Sequence, residues 1–144
     1  MYRLDLRSLK AGDTLPTLTL PPVNRTMLAL FAGASGDHNP IHIDIDFARK
    51  AGMPDVFAHG MLSMAWLGRL LTQWVPQQQI RHMGVRFLGI THIGHIITCS
   101  GQIKEHCMFE GQPCVRVDIV TTNQYGQVRI AGEAMIAIES GEPT

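Results

Sequence analysis

Residues 35–42 carry the side chains of this chain that are best suited to acid–base chemistry. The stretch reads SGDHNPIH and places one Asp, one Asn and two His within eight positions, although only 17% of the chain is charged. A carboxylate and an imidazole that share one water can divide the work, one group removing a proton and the other positioning or returning one. An imidazole suits this work at neutral pH because its ordinary pKa is about 6.5. Asp37 and His42 are therefore the candidate catalytic pair.

The spacing of Asp37 and His42 decides whether they can meet. On a straight helix, residues five apart point their side chains about 140° apart. Pro40 disfavours the helical conformation at Asn39, so the sequence predicts a break and a turn. Such a turn can bring the pair onto one wall of a cavity, where Gly36 allows close backbone approach. The same residues are also compatible with a plain turn and a half-buried histidine that has no catalytic function.

Helices are predicted on both sides of this turn. Asn24 can cap a helix that begins RTMLALFAGA, in which apolar residues recur at helical spacing. After the turn, Asp44 or Asp46 can cap a short helix that Gly52 and Pro54 end. The candidate pair thus lies between two helices.

Residues 60–75 form the most apolar segment, and the pattern after it is typical of β-strands. The segment is apolar on nearly every face, which predicts a buried helix that Pro76 ends. Alternating or β-branched stretches separated by turn residues then predict several strands. These strands are expected at residues 80–90, 95–105, 114–123 and 127–139. A further short strand at residues 14–20 contains Pro16, which favours an edge position.

This order of elements predicts an α+β fold. Strands that follow helices argue against a doubly wound sheet. An antiparallel sheet wrapped around the one buried helix is the simplest arrangement. Residues 1–144 are expected to form a single domain, as is usual for a chain of this length.

Composition excludes several classes of partner. The 12 Lys and Arg residues balance the 12 Asp and Glu residues, so charge gives no indication of nucleic-acid binding. The first residues lack the apolar segment of a signal peptide, and no apolar run reaches the ~18 residues that span a bilayer. Cys99, Cys107 and Cys114 form no CxxC pair and indicate a reducing compartment. We expect a cytoplasmic protein without a membrane partner.

The stretch FAGASGDHNPIHIDIDFARKAG, together with AHGM, resembles the MaoC-like (R)-specific enoyl-CoA hydratases and related hot-dog-fold dehydratases. The family pattern is an aromatic and a small residue, then G-D-x-N-P-aliphatic-H, and a small residue several positions later. The matching positions are Phe31, Gly36, Asp37, Asn39, Pro40, Ile41, His42 and Ala48. Weaker similarity extends from residue 10 to residue 138.

The resemblance implies a fold, a reaction and a set of site residues. The fold is the hot-dog fold, an antiparallel β-sheet around a long central apolar helix. The reaction is the reversible hydration of a trans-2-enoyl thioester to an (R)-3-hydroxyacyl thioester. Asp37 and His42 would form the dyad that acts on water, with Asn39 and Gly36 supporting the turn. No metal or separate cofactor is expected, because CoA or acyl carrier protein is part of the substrate.

Gly60 is implied as the residue whose backbone N–H contacts the thioester carbonyl. It begins the predicted apolar helix, where unpaired N–H groups and the positive end of the helix dipole can stabilise a developing enolate oxygen. An ordinary helix start is the alternative interpretation of this glycine.

Two positions depart from the family pattern. Some hydratases carry a serine about eight residues after the oxyanion glycine, where this chain has Gly68, and Ser63 lies elsewhere on the helix. Many relatives have Gly-Asp at the start of a later strand, where this chain has Gly94 and His95. Neither departure touches the dyad, but the first leaves open any assistance by a serine.

A hot-dog acyl-CoA thioesterase and one subunit of a heteromeric 3-hydroxyacyl-thioester dehydratase are the alternative functions. Thioesterases of this fold usually lack D-x-N-P-x-H, which favours the hydratase. One short domain around one helix leaves an edge strand and an open acyl site, so we expect a homodimer or a heterodimer with another hot-dog subunit. Acyl chain length, carrier, direction and pathway stay open.

The remaining histidines and basic residues give weaker signals. His38 and His42 are four residues apart, but the predicted break separates them, and His92 and His95 have no carboxylate nearby, so no metal site is predicted. The basic residues compatible with either CoA phosphates or solvated strand positions are Arg81, Arg86 and Lys104.

Overall fold

A five-stranded antiparallel β-sheet is the framework of the protein. The structure is a computed structural model and describes residues 4–139. The strands are β1 (Leu18–Thr19), β2 (Ile80–Phe87), β3 (Thr98–Phe109), β4 (Gln112–Thr122) and β5 (Val128–Ala137). They are hydrogen-bonded in the order β1-β3-β4-β5-β2, and every pairing is antiparallel. β1 and β2 are therefore the edge strands.

The helices of the described chain all precede β2. They are α1 (Arg25–Ser35), α2 (Ile45–Lys50) and α3 (Gly60–Trp74), with single 3-10 turns at Pro40–His42 and Gln77–Gln79. Asn24 caps α1, because its side chain accepts a hydrogen bond from the Met27 N–H at 2.9 Å. Asp44, rather than Asp46, caps α2 through two backbone N–H groups. The helices predicted on both sides of the turn are thus confirmed.

α3 is the buried helix around which the sheet is wrapped. Its buried residues are Leu62, Ser63, Trp66, Leu67, Leu70, Leu71 and Trp74. The apolar ones share a single core with inward residues of the sheet such as Ile103, Val117 and Ile130. This confirms the predicted α+β arrangement. Within residues 4–139, neither α3 nor any other helix has the length and apolar character needed to cross a membrane.

Bulges help the sheet to curve around α3. The register shifts between Ile80 and His82 in the β2–β5 ladder, and between Ile103 and Glu105 in the β3–β4 ladder. A bulge bends its strand and increases the local twist. The long strands therefore follow the surface of the helix instead of forming a flat layer.

β3 and β4 continue further toward each other than the sequence pattern predicts. The predicted strands stop at residue 105 and resume at residue 114, whereas only Glu110 and Gly111 lie between the observed strands. Both turn residues have positive φ, 51° and 76°, as in the primed turns that match the twist of a hairpin. Glu is uncommon in this conformation, so the segment lacks the usual Asn-Gly or Asp-Gly signal.

The strand predicted at residues 14–20 is reduced to a short edge strand. β1 contains only Leu18 and Thr19, and Thr14 adds an isolated bridge to Gln102. The Pro16 carbonyl instead accepts a hydrogen bond from the Trp74 indole N–H at 2.8 Å. The edge position that Pro16 favours is confirmed.

The three cysteines lie in β3 and β4 as free thiols. Cys99 and Cys114 are buried, and burial raises the pKa of Cys99 to about 12. Cys107 lies opposite Cys114 in the β3–β4 ladder and is partly exposed. The two buried thiols therefore behave as small apolar side chains.

Candidate active site

The loop after α1 is built by the polar side chains of its own motif. Gly36 ends α1 in the left-handed conformation, with φ of 74°. The Asp37 N–H donates to Ser35 Oγ at 3.1 Å, and the Asn39 N–H donates to Asp37 Oδ1 at 3.2 Å. The Ile41 N–H then donates to Asn39 Oδ1 at 3.1 Å, which caps the 3-10 turn. Each side chain thus fixes the backbone two residues further along the loop.

This turn places Asp37 and His42 close to each other, together with a third residue, His59. A carboxylate oxygen of Asp37 and one ring nitrogen of each histidine lie within 4.8 Å of one another. Asp37 is exposed, His42 is partly buried and His59 is buried. The exposed carboxylate and the partly buried imidazole can therefore reach the same water molecule.

The orientation of His42 is set by the segment that precedes α3. Its Nδ1 lies 2.7 Å from the backbone carbonyl oxygen of Phe57. A carbonyl oxygen can only accept, so Nδ1 carries the proton of this hydrogen bond. In the neutral ring, Nε2 then holds the lone pair and is the atom available for proton transfer. The Phe57 ring also meets the His42 ring edge-on, with centroids 5.0 Å apart.

His59 lies in the AHGM stretch, but the sequence indicates no role for it in this site. Its side chain is 1% exposed, and its ring stacks on that of His42 with centroids 4.0 Å apart and planes 27° apart. Its Nε2–H donates to the Asp37 backbone carbonyl at 3.1 Å. Burial, followed by the charge of His42, lowers the pKa of His59 below its ordinary value. The ring is therefore neutral over most of the physiological range.

The same three residues are the one group within residues 4–139 whose spacing is compatible with a metal ion. Imidazole binds a metal along the lone pair in the ring plane, at about 2.0–2.1 Å for zinc. Because the rings of His42 and His59 stack at 4.0 Å with nearly parallel planes, their lone pairs do not converge on one point. His42 Nδ1 and His59 Nε2 are also occupied by carbonyl groups. The arrangement favours proton transfer over metal coordination.

Gly60 is the first residue of α3 and directly follows His59. The helix has no side-chain cap at His59, and among the described residues no acceptor binds the Gly60 N–H. Its φ is not positive. An added Cβ would lie 2.9 Å from Cε1 of Phe87, whose side chain is half exposed. The backbone at Gly60 is thus open to a ligand except where the Phe87 ring covers it.

A cavity of about 370 Å³ lies beside Gly60. Most of its lining is apolar, with Ser63 and Thr91 as polar members. The lining residues are Phe57, Ala58, Gly60, Ser63, Phe87, Leu88, Gly89, Ile90, Thr91 and Ile130. Asp37 and His42 are not among them, so the cavity does not contain the dyad but adjoins His42 through Phe57.

The two departures from the family pattern lie outside the dyad. Gly68 has open space where a side chain would be, since within residues 4–139 no atom from outside its own stretch of helix backbone would lie within 4 Å of an added Cβ. Ser63 is buried and belongs to the lining of the cavity beside Gly60. Gly94 has φ of 85°, and the neighbouring His95 Nδ1 accepts a hydrogen bond from the His92 N–H at 3.1 Å. That histidine pair forms a local loop contact.

The basic residues considered for CoA phosphates lie on β2 and β3. Arg86 and Lys104 line a groove on the sheet that also contains Asp118 and Glu133. Arg81 is exposed at the bulge of β2. The groove therefore carries both signs of charge, as solvated strand positions do.

An ion pair connects the two segments that carry the site. Arg25, the first residue of α1, binds both carboxylate oxygens of Asp55 at 2.9 and 2.7 Å. Asp55 lies just before α3, so the contact joins the helix before the dyad loop to the segment that bears Phe57 and His59. The hydrogen bond from Arg25 lowers the pKa of Asp55.

The chain is similar to known hydratases and to part of larger fatty acid synthases. It is 26% identical over 113 residues to the (R)-specific enoyl-CoA hydratase of Aeromonas caviae, covering 77% of this chain and 83% of that protein. It is 29% identical over 109 residues to fatty acid synthase subunit beta of Saccharomyces cerevisiae, covering 74% of this chain but only 5% of that protein.

The fold is similar to that of a solved hydratase. The unliganded R-hydratase PhaJ1 from Pseudomonas aeruginosa superposes with a TM-score of 0.80 at 27% identity, covering 93% of this chain and 85% of that chain. This similarity confirms the hot-dog fold expected from the sequence. Residues 10–125 match the family model described as the MaoC like domain, and the chain therefore belongs to the MaoC-like domain family.

Proposed function

We propose that the protein is a hydro-lyase that adds water to a trans-2-enoyl thioester, giving an (R)-3-hydroxyacyl thioester, or catalyses the reverse dehydration. The observation that carries this proposal is the proximity of Asp37 and His42, with His42 Nδ1 bound to the Phe57 carbonyl. That contact leaves Nε2 as the ring nitrogen of His42 that is available for chemistry. The similarity to hydratases supports the reaction class.

The dyad moves the protons of the reaction. In hydration, the water oxygen forms a bond to C3 while the dyad accepts one water proton. The electron pair of the C2–C3 double bond moves toward C2 and the thioester carbonyl, forming an enolate-like intermediate. The dyad then returns a proton to C2, so it ends in its starting protonation state. Asn39 and Gly36 act through the loop geometry that holds Asp37.

Gly60 stabilises the charge that develops on the thioester oxygen. Its N–H is unpaired within the described chain and lies at the positive end of α3. A fixed N–H aimed at a developing oxyanion lowers the barrier without reorganising during the reaction. The apolar cavity beside Gly60 receives part of the substrate.

The thioester carrier is CoA or acyl carrier protein, and it belongs to the substrate. Addition of water to a double bond changes no overall oxidation state. The reaction therefore needs neither a redox cofactor nor an electron acceptor. The negative charge on the enolate oxygen can be stabilised by a hydrogen bond from the Gly60 N–H instead of by a metal ion.

The decisive assay separates hydration from hydrolysis. Purified protein is incubated with trans-2-enoyl-CoA substrates of increasing acyl length, and loss of enoyl absorbance is compared with release of free thiol. We expect loss of absorbance without thiol release, and chiral chromatography of the product should give the (R)-3-hydroxyacyl form. Thiol release without hydration would instead support the thioesterase alternative.

Substitution of the dyad tests the mechanism. Asp37→Asn keeps an oxygen that can accept from the Asn39 N–H, and His42→Asn keeps a donor for the Phe57 carbonyl, so both preserve the local structure. Each should lower kcat at least ~10²-fold, as expected for a positioned acid–base group. The double variant should lose little more, because the residues act as a unit.

His38→Ala is the matched control for the dyad variants. His38 is an exposed histidine in the same loop, and its loss should leave kcat within about twofold of the original value. Steady-state kinetics on enoyl-CoA give the comparison. Near-normal turnover in either dyad variant would exclude the proposed mechanism.

We also propose that two hot-dog subunits, identical or different, pair through β2. Among the strands of residues 4–139, β2 is hydrogen-bonded to β5 alone, and exposed apolar residues, Phe87, Leu88 and Ile90, lie at and just beyond its end. An unpaired edge strand is a template for pairing with another chain. Light scattering over a dilution series should give about twice the 15.9 kDa chain mass for a homodimer. A fully active monomer would refute this assembly.

A further inference from the structure

His59 contacts both members of the proposed dyad and adjoins the proposed oxyanion donor in the chain. Its Nε2–H donates to the backbone carbonyl of Asp37 at 3.1 Å, and its ring lies against the face of His42 with centroids 4.0 Å apart. The next residue is Gly60. One side chain therefore contacts the loop that carries Asp37, the imidazole of His42 and the start of α3.

The surroundings of His59 hold it as one neutral tautomer. The carbonyl of Asp37 requires the proton on Nε2, which leaves the lone pair on Nδ1. Nδ1 is buried and has no hydrogen-bond partner among the described residues. A second proton would therefore become a buried donor without an acceptor. The rings of His59 and Phe31 also meet in an edge-to-face arrangement, with centroids 4.9 Å apart, and this contact further shields His59 from water.

His59 faces few charges besides the dyad. The charged groups that act on it are Asp37 and His42, and the element packed on its other side contributes the apolar Phe31 of α1. A neutral ring adds no charge to the dyad. Its effect on the chemistry is therefore one of placement.

We propose that His59 is a positioning residue, whose neutral Nε2–H tautomer fixes Asp37 and the ring plane of His42 for proton transfer without touching the substrate. The Phe57 carbonyl restrains His42 at Nδ1, and the stacked ring of His59 restrains its rotation about that contact. Together they fix the direction of Nε2 within the cluster that includes the Asp37 carboxylate. The inference rests on the proposed function of the dyad.

Two substitutions separate the hydrogen bond from the ring. His59→Phe keeps an aromatic ring against His42 but removes the donor to the Asp37 carbonyl. His59→Gln keeps an amide N–H that can reach the place of Nε2–H but removes the ring. Misplacing reacting groups by about 1 Å can cost up to ~10²-fold in rate. We expect His59→Phe to lower kcat about 10- to 100-fold, with KM changed less than about threefold. The kcat of His59→Gln should be at least about threefold higher than that of His59→Phe.

His95→Gln is the matched control. His95 is another partly buried histidine whose pKa is lowered chiefly by burial, and it lies in the loop before β3. Its substitution should leave kcat within about twofold. Activities are expressed per folded protein, measured by circular dichroism, so that a loss of stability alone does not lower kcat.

A spectroscopic measurement on the unmodified protein tests the tautomer without any variant. Long-range proton–nitrogen NMR spectra of the histidine rings should show His59 with a protonated Nε2 and an unprotonated Nδ1. At pH 6.5, the ordinary His pKa, this neutral form should still be the predominant one, because burial lowers the pKa of His59. A doubly protonated His59 at that pH, or a proton on Nδ1, would overturn the inference even if a variant fails to fold.

The outcomes also separate this inference from the function on which it rests. If Asp37→Asn and His42→Asn are inactive while His59→Phe keeps kcat within about twofold, only the positioning role of His59 is wrong. If the dyad variants themselves keep near-normal turnover, the proposed function fails. If His59→Phe raises KM and leaves kcat unchanged, His59 acts in substrate binding, and this result would also overturn the inference.

Discussion

Asp37 accepts a hydrogen bond from the Asn39 N–H and also lies in the cluster with the two histidines. At the level of single residues, a structural turn and a catalytic loop are therefore not competing interpretations of D-x-N-P. The same carboxylate builds the loop with one oxygen and leaves the other free of the turn. A substitution that removes both side-chain oxygens confounds the two effects, whereas Asp37→Asn removes the acid–base group and keeps an oxygen that can accept from the Asn39 N–H.

The sequence predicts some members of this site and not others. The proximity of Asp37 and His42 can be predicted, because Pro40 and Asn39 indicate a turn between them. His59 cannot be predicted, because its contribution depends on burial and on ring stacking across the separation between the dyad loop and α3. The Phe57 contact is made by a backbone carbonyl, which no side-chain pattern reveals. For His59, the only signal in the sequence is its position directly before Gly60.

Gly60→Ala tests the proposed oxyanion contact. The glycine does not have positive φ, and alanine is the better helix former, so the melting temperature should change by less than a few degrees. The added methyl group would stand between the backbone N–H and the thioester. We expect kcat/KM to fall about 10²–10³-fold, the size of a lost oxyanion donor.

Phe87 supplies the control for this variant. The new Cβ would lie 2.9 Å from Phe87 Cε1, and Phe87 is 53% exposed in the single chain. If the defect comes only from the displaced ring, the Gly60→Ala/Phe87→Ala double variant should regain activity relative to Gly60→Ala. Persistence of the loss supports obstruction at the N–H. Full activity of Gly60→Ala would remove this N–H from the mechanism.

At the level of elements, composition predicted α3 and its burial, because a helix apolar on nearly every face has no solvent side. The hairpin between β3 and β4 was cut short in the prediction. Pro113 directly precedes the strand predicted at residues 114–123, yet it lies within β4, and its carbonyl accepts a hydrogen bond from the Ile138 N–H at 3.0 Å. The missing N–H of Pro113 is tolerated there because the observed contact uses the carbonyl of this residue.

Two glycines in regular elements should respond oppositely to alanine. Gly101 in β3 faces the indole of Trp74, and an added Cβ would overlap it. Trp74 is buried and held by its bond to the Pro16 carbonyl, so Gly101→Ala should cost about 1–3 kcal/mol, as overpacking does.

Gly33 within α1 is the matched counterpart. An added Cβ there meets no atom within 4 Å, and Gly33→Ala should stabilise the protein by about 0.5–1 kcal/mol through helix propensity. Thermal unfolding of the two variants gives the comparison. Equal or inverted shifts would show that Trp74 does not pack as described.

For the whole molecule, stability should depend on pH because burial lowers the pKa of His59, which is buried, and of His95, which is partly buried. Burial is the chief reason that the pKa values of His59 and His95 are lowered; nearby positive charges of His92 and Arg129 contribute further at His95. In the unfolded chain these groups titrate near 6.5. Asp55 does not affect stability in the pH range of the histidines. Its carboxyl pKa is lowered in the folded protein, so its contribution to the free energy of unfolding is lost only when the pH falls below the ordinary value of 3.8.

The direction of the pH effect follows from which state binds more protons. Well above pH 6.5 both states hold neutral imidazoles, and the histidines contribute nothing to the difference. As the pH falls through 6.5, His59 and His95 become protonated in the unfolded chain but stay neutral in the folded one. The free energy of unfolding therefore decreases until the pH reaches the lower pKa values of the folded protein. Melting temperatures should therefore fall between pH 8 and pH 5.5. His59→Gln and His95→Gln should each make that fall shallower, and both together should make it shallower still. A melting temperature that is constant or rises toward acid would mean that these imidazoles are charged in the folded protein, which contradicts their burial.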